Sequence, residues 1–277
     1  MIQDIYPHIM YNQFRPGKSP ADSDTVLYFK GNELMVRIEG DEIAYPKKKE
    51  LPGITDFLYL FCIDEEDYYL ARPGDEVCPE GYQFLPLRQL RRQASGPRDR
   101  IFAAYTALQL NGWYNDNVFC GRCGSRTEHS VAERAMVCPS CGRVIYPRIV
   151  PAVIVAVRNG DEILLTKYAG RGLGFYALVA GFTEIGETLE ETVQREVMEE
   201  VGLHVKNIHY YKSQPWGIAD DILMGFYCDV DGDTTIRLDT TELKVGEWVR
   251  RENVELQPDD FSLTNEMMKN FKEGIDP

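Results

Sequence analysis

The chain has 277 residues, 44% hydrophobic and 27% charged, which fits two or three compact units of an ordinary globular protein. No apolar run approaches the roughly 20 residues that span a bilayer, and the opening Met1-Ile2-Gln3-Asp4 lacks the basic-then-apolar pattern of an export signal, so a cytoplasmic protein with no membrane anchor is expected. The net charge of −14 opposes non-specific binding to a polyphosphate backbone, but not binding of a small anion where a divalent cation inverts the local sign.

Residues 1 to 85 read as a β-rich unit, with strands at Thr25–Phe29, Glu33–Ile38 and Phe57–Ile63 separated by polar, Gly- or Pro-bearing segments. Leu85 to Leu110 reads mostly as helix. Ser95-Gly96-Pro97 marks a boundary inside it, and a second helix from Arg98 through Gln109 is expected to stop at Asn111-Gly112. Arg88, Arg91 and Arg92 form a basic cluster that reads as a solvated helix face rather than a nucleic-acid patch. Further on, Ala152–Val157 and Glu162–Thr166 look like a hairpin across Asn159-Gly160. Ala177–Phe182 is a strand, and Thr188–Val201 a helix stopped by Gly202. Strands follow at His209–Lys212, Leu223–Val230 and Lys244–Val249, with a last helix at Thr264–Phe271. Gly170-Arg-Gly172-Leu-Gly174 looks like a phosphate loop only superficially, since no helix follows it.

Seven cysteines are present. Cys62, Cys78 and Cys228 are scattered and read as reduced, buried core residues. The other four form two Cys-x-x-Cys pairs, Cys120/Cys123 and Cys138/Cys141. In a chain with no export signal, paired cysteines read as metal ligands, and this spacing places four thiolates at the corners of one tetrahedral zinc site. Gly121, Gly124 and Gly142 suit the turns around them. Such a site is coordinatively closed, so one structural zinc per chain is expected. Arg122, Arg126, Arg134 and Arg143 could suggest a nucleic-acid face, but the chain's acidity opposes it.

The decisive stretch runs from Gly181 to Leu203. At about 100° per residue, Glu196, Glu199 and Glu200 share one sector of a helix, beside an apolar strip of Val193, Val197 and Val201. One edge can therefore pack while the next presents three carboxylates. Their mutual repulsion calls for positive charge. Arg195, four residues before Glu199, can pair with it but is too little for the cluster. Hard divalent cations, Mg²⁺ or Mn²⁺, suit carboxylate oxygens and bridge phosphates. Gly181 and Gly186 allow a sharp loop ahead of the helix, and Glu187 stands near the helix's positive end.

This stretch, Gly-x5-Glu-x7-Arg-Glu-Val-x-Glu-Glu-x-Gly-Leu, resembles the Nudix box. The resemblance implies an α+β chain whose Nudix domain is an α/β/α sandwich. It implies Glu196, Glu199 and Glu200 as ligands of two or three Mg²⁺ or Mn²⁺ ions, with the Gly181 carbonyl as a possible further ligand. Arg195 would orient a ligand carboxylate and Glu187 would support the metal site. With a four-cysteine ribbon immediately upstream, the chain is similar to the NADH pyrophosphatase family over most of residues 85–277. Trp113-Tyr114, Tyr146-Pro147-Arg148-Ile149-Val150-Pro151, Ala180-Gly181-Phe182 and Ser213-Gln214-Pro215-Trp216 carry that likeness. The implied division is an N-terminal domain at 1–112, a zinc ribbon at 113–148 and a Nudix domain at 149–277.

The likeness implies hydrolysis of NAD(H) to nicotinamide mononucleotide and AMP by a homodimer. Phe182 and Tyr146 match aromatics that can sandwich a ring, although each also reads as an ordinary core aromatic. Ser213, Gln214 and Trp216 match the start of a substrate-selective motif, Thr264 a small residue near substrate, and Glu242 a metal-binding or catalytic glutamate. The family's motif continues Pro-Phe-Pro-x-Ser after the tryptophan. Here Gly217-Ile218-Ala219-Asp220-Asp221 follows, expected to form a more flexible, more acidic loop that bears on substrate preference. ADP-ribose, a dinucleoside polyphosphate or NAD-capped RNA are alternative substrates. A nucleotide-sensing regulator without turnover is the alternative of a different class.

Overall fold

A computed structural model describes residues 1–72, 78–93, 96–169 and 174–277. The chain divides into two compact units: residues 3–148 with 217–220, and residues 149–216 and 221–277 with Met1–Ile2.

In the first unit, strands β1 (Thr25–Leu27), β2 (Glu33–Glu39), β3 (Phe57–Ile63) and β4 (Glu66–Ala71) fall where β-branched and aromatic runs place them. β3 and β4 form an antiparallel hairpin, and β1 lies parallel to β4. Val26, Tyr28, Met35, Leu51, Ile54, Ala71 and Tyr82 share a buried core. Leu85 and Pro86, expected as helix, end a short strand (Gln83–Pro86) paired with β2. Helix α1 (Leu87–Gln93) follows, and Pro97 caps α2 (Arg98–Asp116). Ser95, in the expected boundary, lies outside the described residues, as do the Arg92 side chain and most of Gly170–Gly174. Arg88 is exposed on α1.

Asn111-Gly112 does not end α2, which runs on to Asp116 and through the boundary expected at 112/113. Trp113 and Tyr114 are buried at 6% and 2% exposure, and packing of these rings outweighs the local helix-breaking preference of the pair before them. Of the scattered cysteines, Cys62 and Cys228 are buried. Cys78 is exposed, against expectation, in an irregular segment where its Sγ donates to the Tyr82 carbonyl at 3.4 Å.

The second unit is a six-stranded mixed sheet, whose strands are β5 (Val150–Asn159), β6 (Glu162–Tyr168), β7 (Val179–Phe182), β8 (Val205–Trp216), β9 (Asp221–Val230) and β10 (Leu243–Arg250). The order is β8-β9-β5-β6-β10, with β7 also paired to β5. The β5/β9 pair is parallel, and the β5–β6 hairpin turns at Gly160, where Asn159 faces Glu162. β5 is apolar on both faces because both are covered. Val153, Val155 and Val157 pack with Val193, Val197 and Val201 of helix α3 (Leu189–Val201). Ile154 and Ala156 face the other way, toward Leu263, Met267, Met268 and Phe271 of helix α4 (Leu263–Glu273). Period-2 alternation along one strand thus builds the α/β/α sandwich. Each fully buried valine contributes roughly 1.5–3 kcal/mol to holding α3 on the sheet.

β8 continues through Ser213-Gln214-Pro215-Trp216, where Trp216 still faces Asp221. Gly217–Asp220 is therefore a four-residue turn closing the β8–β9 hairpin. Three features define it. Asp220 adopts φ +60, and a Cβ on Gly217 would stand 2.3 Å from the Tyr105 carbonyl oxygen of α2. Asp220 also pairs with Arg148 at 2.6 Å.

Candidate functional site

The ribbon is built from two equivalent knuckles. The Cys120 amide donates to the Ser125 carbonyl at 2.8 Å and the Gly124 amide to the Cys120 carbonyl at 2.8 Å; Cys138, Arg143 and Gly142 repeat the pattern at 2.9 Å each. Gly124 and Gly142 take φ +74 and +71, left-handed values that let each turn close, whereas Gly121 does not. Three short antiparallel strands, Glu128–His129, Met136–Val137 and Val144–Ile145, carry the module. Cys120 and Cys141 sulfurs lie 3.7 Å apart, Cys123 and Cys138 3.4 Å, and all four within 4.8 Å of one another. Backbone amides aimed at sulfur favour the thiolate. The Ser125 amide is the main cause that brings Cys123 down to about 6, and the Arg122 amide lowers Cys120. Four soft sulfur ligands gathered this closely, two of them held as favoured thiolates by backbone amides, fit one structural zinc.

The carboxylate helix begins at a capping box. The Thr188 hydroxyl accepts from the Glu191 amide at 3.2 Å, and the Glu191 carboxylate accepts from the Thr188 amide at 2.7 Å. It ends at Gly202, whose φ of +68 lets its amide return to the Met198 carbonyl. Between these limits Val193, Val197 and Val201 anchor one edge, which fixes how the carboxylates are presented. Glu200 is 2% exposed. Glu196 is 12% and Glu199 59% exposed at the side chain, so the three acids are graded from interior to solvent.

Arg195 sits among them. Its Nε and Nη2 grip Glu187 at 2.6 and 3.0 Å, its Nη1 reaches Glu196 at 2.7 Å and Glu199 at 2.9 Å, and Nη2 also donates to the Phe182 carbonyl at 2.8 Å. Glu187 further accepts from the Glu184 amide and the Thr192 hydroxyl. The Arg195 pair, followed by the Glu184 amide, holds Glu187 down to about 2. Glu196 moves the other way. Burial raises its pKa, Arg195 opposes the rise, and the charges of Glu199 and Glu242 add to it. Glu242, exposed just before β10, is thus electrostatically part of this cluster.

Gly181 explains how Glu196 reaches its place. A Cβ at Gly181 would stand 1.9–2.2 Å from the Glu196 carboxyl atoms, so that carboxylate occupies space only a glycine leaves open. A half-buried acid pressed by two like charges, next to main-chain and carboxylate oxygens, is a donor set for a hard divalent ion. Among the described residues only the four cysteines bring three or more metal-binding side chains within 4.8 Å of one another; between the acids stands the Arg195 guanidinium.

Sheet register relates the Ser-Gln-Pro-Trp segment to the box. Gly181 faces Val153, Val153 faces Met224, and Met224 faces Ser213. These residues form one row on the α3 face, the face on which Glu196 lies. The next row, Phe182–Ala152–Leu223–Gln214, is on the α4 face. Phe182 is 50% exposed. Ser213, Trp216 and Thr264 are half-buried. Gln214 is fully buried and its amide bonds to the backbone of Phe261 and Leu263, so it offers no surface to a ligand. Tyr146, 57% exposed, belongs to the other unit, where its hydroxyl donates to Glu133 at 3.0 Å. Sequence reasoning missed the Thr188–Glu191 capping box, which the Thr-x-x-Glu spacing could have revealed, and the Thr192 bond to Glu187, which no motif signals.

A sandwich sheet with a carboxylate helix on one face, together with a four-thiolate ribbon, defines a zinc-ribbon hydrolase of the Nudix fold. The comparisons agree. The sequence pattern of the NUDIX domain matches residues 148–271, and that of the NADH pyrophosphatase zinc ribbon domain matches 115–146. A protein named NAD-capped RNA hydrolase NudC from Klebsiella pneumoniae is 40% identical over 188 residues, 65% of this chain and 72% of that relative. One of the same name from Photorhabdus laumondii is 37% identical, over 65% of this chain and 70% of its own. Among solved structures, a NUDIX hydrolase from Nitrosomonas europaea matches with TM-score 0.49 and 20% identity, over 56% of this chain and 90% of its own. The chain belongs to the Nudix hydrolases, in the zinc-ribbon family of NADH pyrophosphatases.

Proposed function

We propose that this chain is an NAD(H) diphosphatase that hydrolyses the pyrophosphate bond to release nicotinamide mononucleotide and AMP. The observation that carries the reading is the Glu196 carboxylate seated against Gly181 and bridged through Arg195 to Glu187 and Glu199. Glu196, Glu199 and Glu200, with the Gly181 carbonyl and with Glu242 nearby, would hold two or three Mg²⁺ or Mn²⁺ ions. Such ions, when bound, neutralise the pyrophosphate, lower the pKa of an attacking water and steady the leaving oxygen.

The chain's own residues supply the rest. Arg195 keeps Glu187 ionised and fixes where Glu196 and Glu199 point. Glu200, buried at the inner end of the cluster, is shielded from solvent. Glu199 and Glu242, the exposed members, are the candidates to take the proton from the attacking water, since only they reach solvent freely. Phe182 offers an exposed ring for stacking with a base or nicotinamide, beside the row that carries Gly181. Ser213 lies on the metal side of the sheet, and Trp216 and Thr264 on the α4 side. Homodimerisation is part of the proposal, supported by the resemblance alone.

NAD-capped RNA is the second reading, supported by the printed names of the relatives. The charge of −14 weighs against a long RNA footprint, whereas the NAD cap presents the same pyrophosphate. All box carboxylates are kept, which argues against a sensor without turnover. Purified chain incubated with NADH, ADP-ribose, a dinucleoside polyphosphate and NAD-capped RNA, with products identified by mass, tests the proposal. AMP and nicotinamide mononucleotide released fastest from NADH would support it. NADH left intact while another conjugate is cleaved would overturn it.

A further inference from the structure

We infer that Asp239 is a positioning residue: it fixes where Glu242 stands relative to the acids of α3, and acts only through that glutamate. The inference rests on the metal-dependent reading above. Helix α3 ends at Val201, and the last carbonyls of a helix have no partner within it. The irregular segment 231–242, between β9 and β10, supplies partners for two of them. The Arg237 amide donates to the Val201 carbonyl at 2.8 Å, and the Asp239 amide to the Glu200 carbonyl at 2.9 Å. Asp239 is thus bonded through its backbone to one of the three box acids. Two glycines leave room for the crossing. A Cβ on Gly202 would stand 2.9 Å from the Arg237 Cβ, and one on Gly246 2.7 Å from the Leu238 Cδ1. Ile236 and Leu238 pack on the same core as Val193, Val197 and Val201, which holds the segment down.

From this anchor Asp239 shapes the turn that follows. Its Oδ1 accepts from the Thr241 amide at 2.8 Å and from the Thr241 hydroxyl at 2.7 Å, so the side chain closes onto the backbone two residues on. Its carbonyl accepts from the Leu243 amide at 2.9 Å, and Leu243 is fully buried at the start of β10. Glu242 lies between these two ties. Its own carbonyl accepts from the Ala169 amide, just past β6, at 2.8 Å. The Glu242 side chain is exposed, so its carboxylate is placed by its backbone rather than by surrounding side chains. Its charge acts on Glu196, so a shift of the turn changes its standing toward the cluster. Losing the Asp239 acceptor would free Thr241 and let Glu242 swing away. Glu196 and Glu199 would stay, because Arg195 holds them.

The test compares Asp239→Ala and Asp239→Asn with the unaltered chain, each also combined with Glu242→Gln. Asparagine keeps the Oδ1 acceptor that closes the turn, and alanine removes it. Mn²⁺ binding is followed by the paramagnetic resonance of the free ion, turnover by AMP release from NADH, and folding by thermal melting. Asp239→Ala is expected to weaken Mn²⁺ binding and lower kcat by about ten-fold each, the scale on which groups that orient metal ligands act. KM for NADH should stay within about two-fold, and Asp239→Asn should restore both losses. On the Glu242→Gln background, Asp239→Ala should cost nothing further, because the two residues act as one unit. A merely structural role would lower Tm and the active fraction, leave Mn²⁺ affinity unchanged and add to the Glu242→Gln loss. Any of three results overturns the inference: a folded Asp239→Ala with unchanged Mn²⁺ affinity, an Asp239→Asn as impaired as Asp239→Ala, or a Glu242→Gln with no loss of its own. Should Asp239→Ala fail to fold, Thr241→Val decides. Mn²⁺ affinity lowered about three-fold supports the turn, and an unchanged affinity overturns it. A wild-type chain that neither binds Mn²⁺ nor cleaves NADH overturns the proposed function and this inference with it; one that does both, with Asp239→Ala its equal, overturns this inference alone.

Discussion

Arg195 grips Glu187 through two hydrogen bonds of 2.6 and 3.0 Å, and the same guanidinium reaches Glu196 and Glu199. One cation thus ties the loop before α3 to the carboxylates on it. The box arginine therefore has a structural task besides any contact with substrate: it orders three acids that would otherwise repel one another.

That pair makes stability depend on acid. Glu187 is held at about 2, below its ordinary 4.5, mainly by Arg195. A carboxylate with a depressed folded pKa stabilises fully above its unfolded pKa and loses that contribution as pH falls through the folded value. Thermal melting of the unaltered chain should therefore fall progressively between about pH 4.5 and pH 2. Glu187→Gln should melt lower at pH 7 and show a shallower decline over the same window. Parallel melting curves for the two proteins would show that the pair contributes nothing.

Gly181→Ala is expected to displace Glu196, because the added methyl would stand within 1.9–2.2 Å of its carboxyl atoms. The sheet pairing of Gly181 with Val153 needs no side chain, so the variant should fold. Its activity should drop by about 10- to 100-fold, the scale on which displaced or misoriented metal-site groups act, and higher Mg²⁺ or Mn²⁺ should recover part of the loss. Full activity at ordinary metal concentration would mean that Glu196 is not held in that space.

The ribbon should contain one zinc per chain, measured by atomic absorption on purified protein. Cys123→Ser, or prolonged treatment with a chelator, should remove the metal and unfold residues 115–146, because binding of structural zinc supplies most of the folding free energy of so small a module, about 10–16 kcal/mol in isolated fingers. Protease cleavage within that segment is the readout. A zinc-free chain with an intact ribbon would contradict the assignment.

Much of the fold and the site could be read from the residues. Val193, Val197 and Val201 with Gly202 mark α3 in the sequence, because helical spacing and a left-handed stop are both local signals. The cysteine pairs were legible for the same reason. Sequence and structure part where distant packing decides. Asn111-Gly112 looks like a helix end, yet the burial of Trp113 and Tyr114 carries α2 past it. The strand expected at His209–Lys212 runs on as β8 through Pro215 to Trp216, because an edge strand tolerates proline. Gln214 reads as a substrate contact from its motif, whereas its side-chain amide is committed to the backbone of Phe261 and Leu263, partners 47 and 49 residues away in sequence. The depth order of the three glutamates also depends on neighbours that helical spacing cannot name.

The central claim is that carboxylates on α3 run a metal-dependent cleavage of the NAD(H) pyrophosphate. Its most direct test is AMP release from NADH across a Mn²⁺ titration, for the unaltered chain and for Glu199→Gln. The account predicts no release without divalent metal, saturable release with it, and a rate at least about 100-fold lower in the variant at every metal concentration, given the several kcal/mol such sites contribute. Equal rates for the two proteins, or release that ignores the metal, would contradict it.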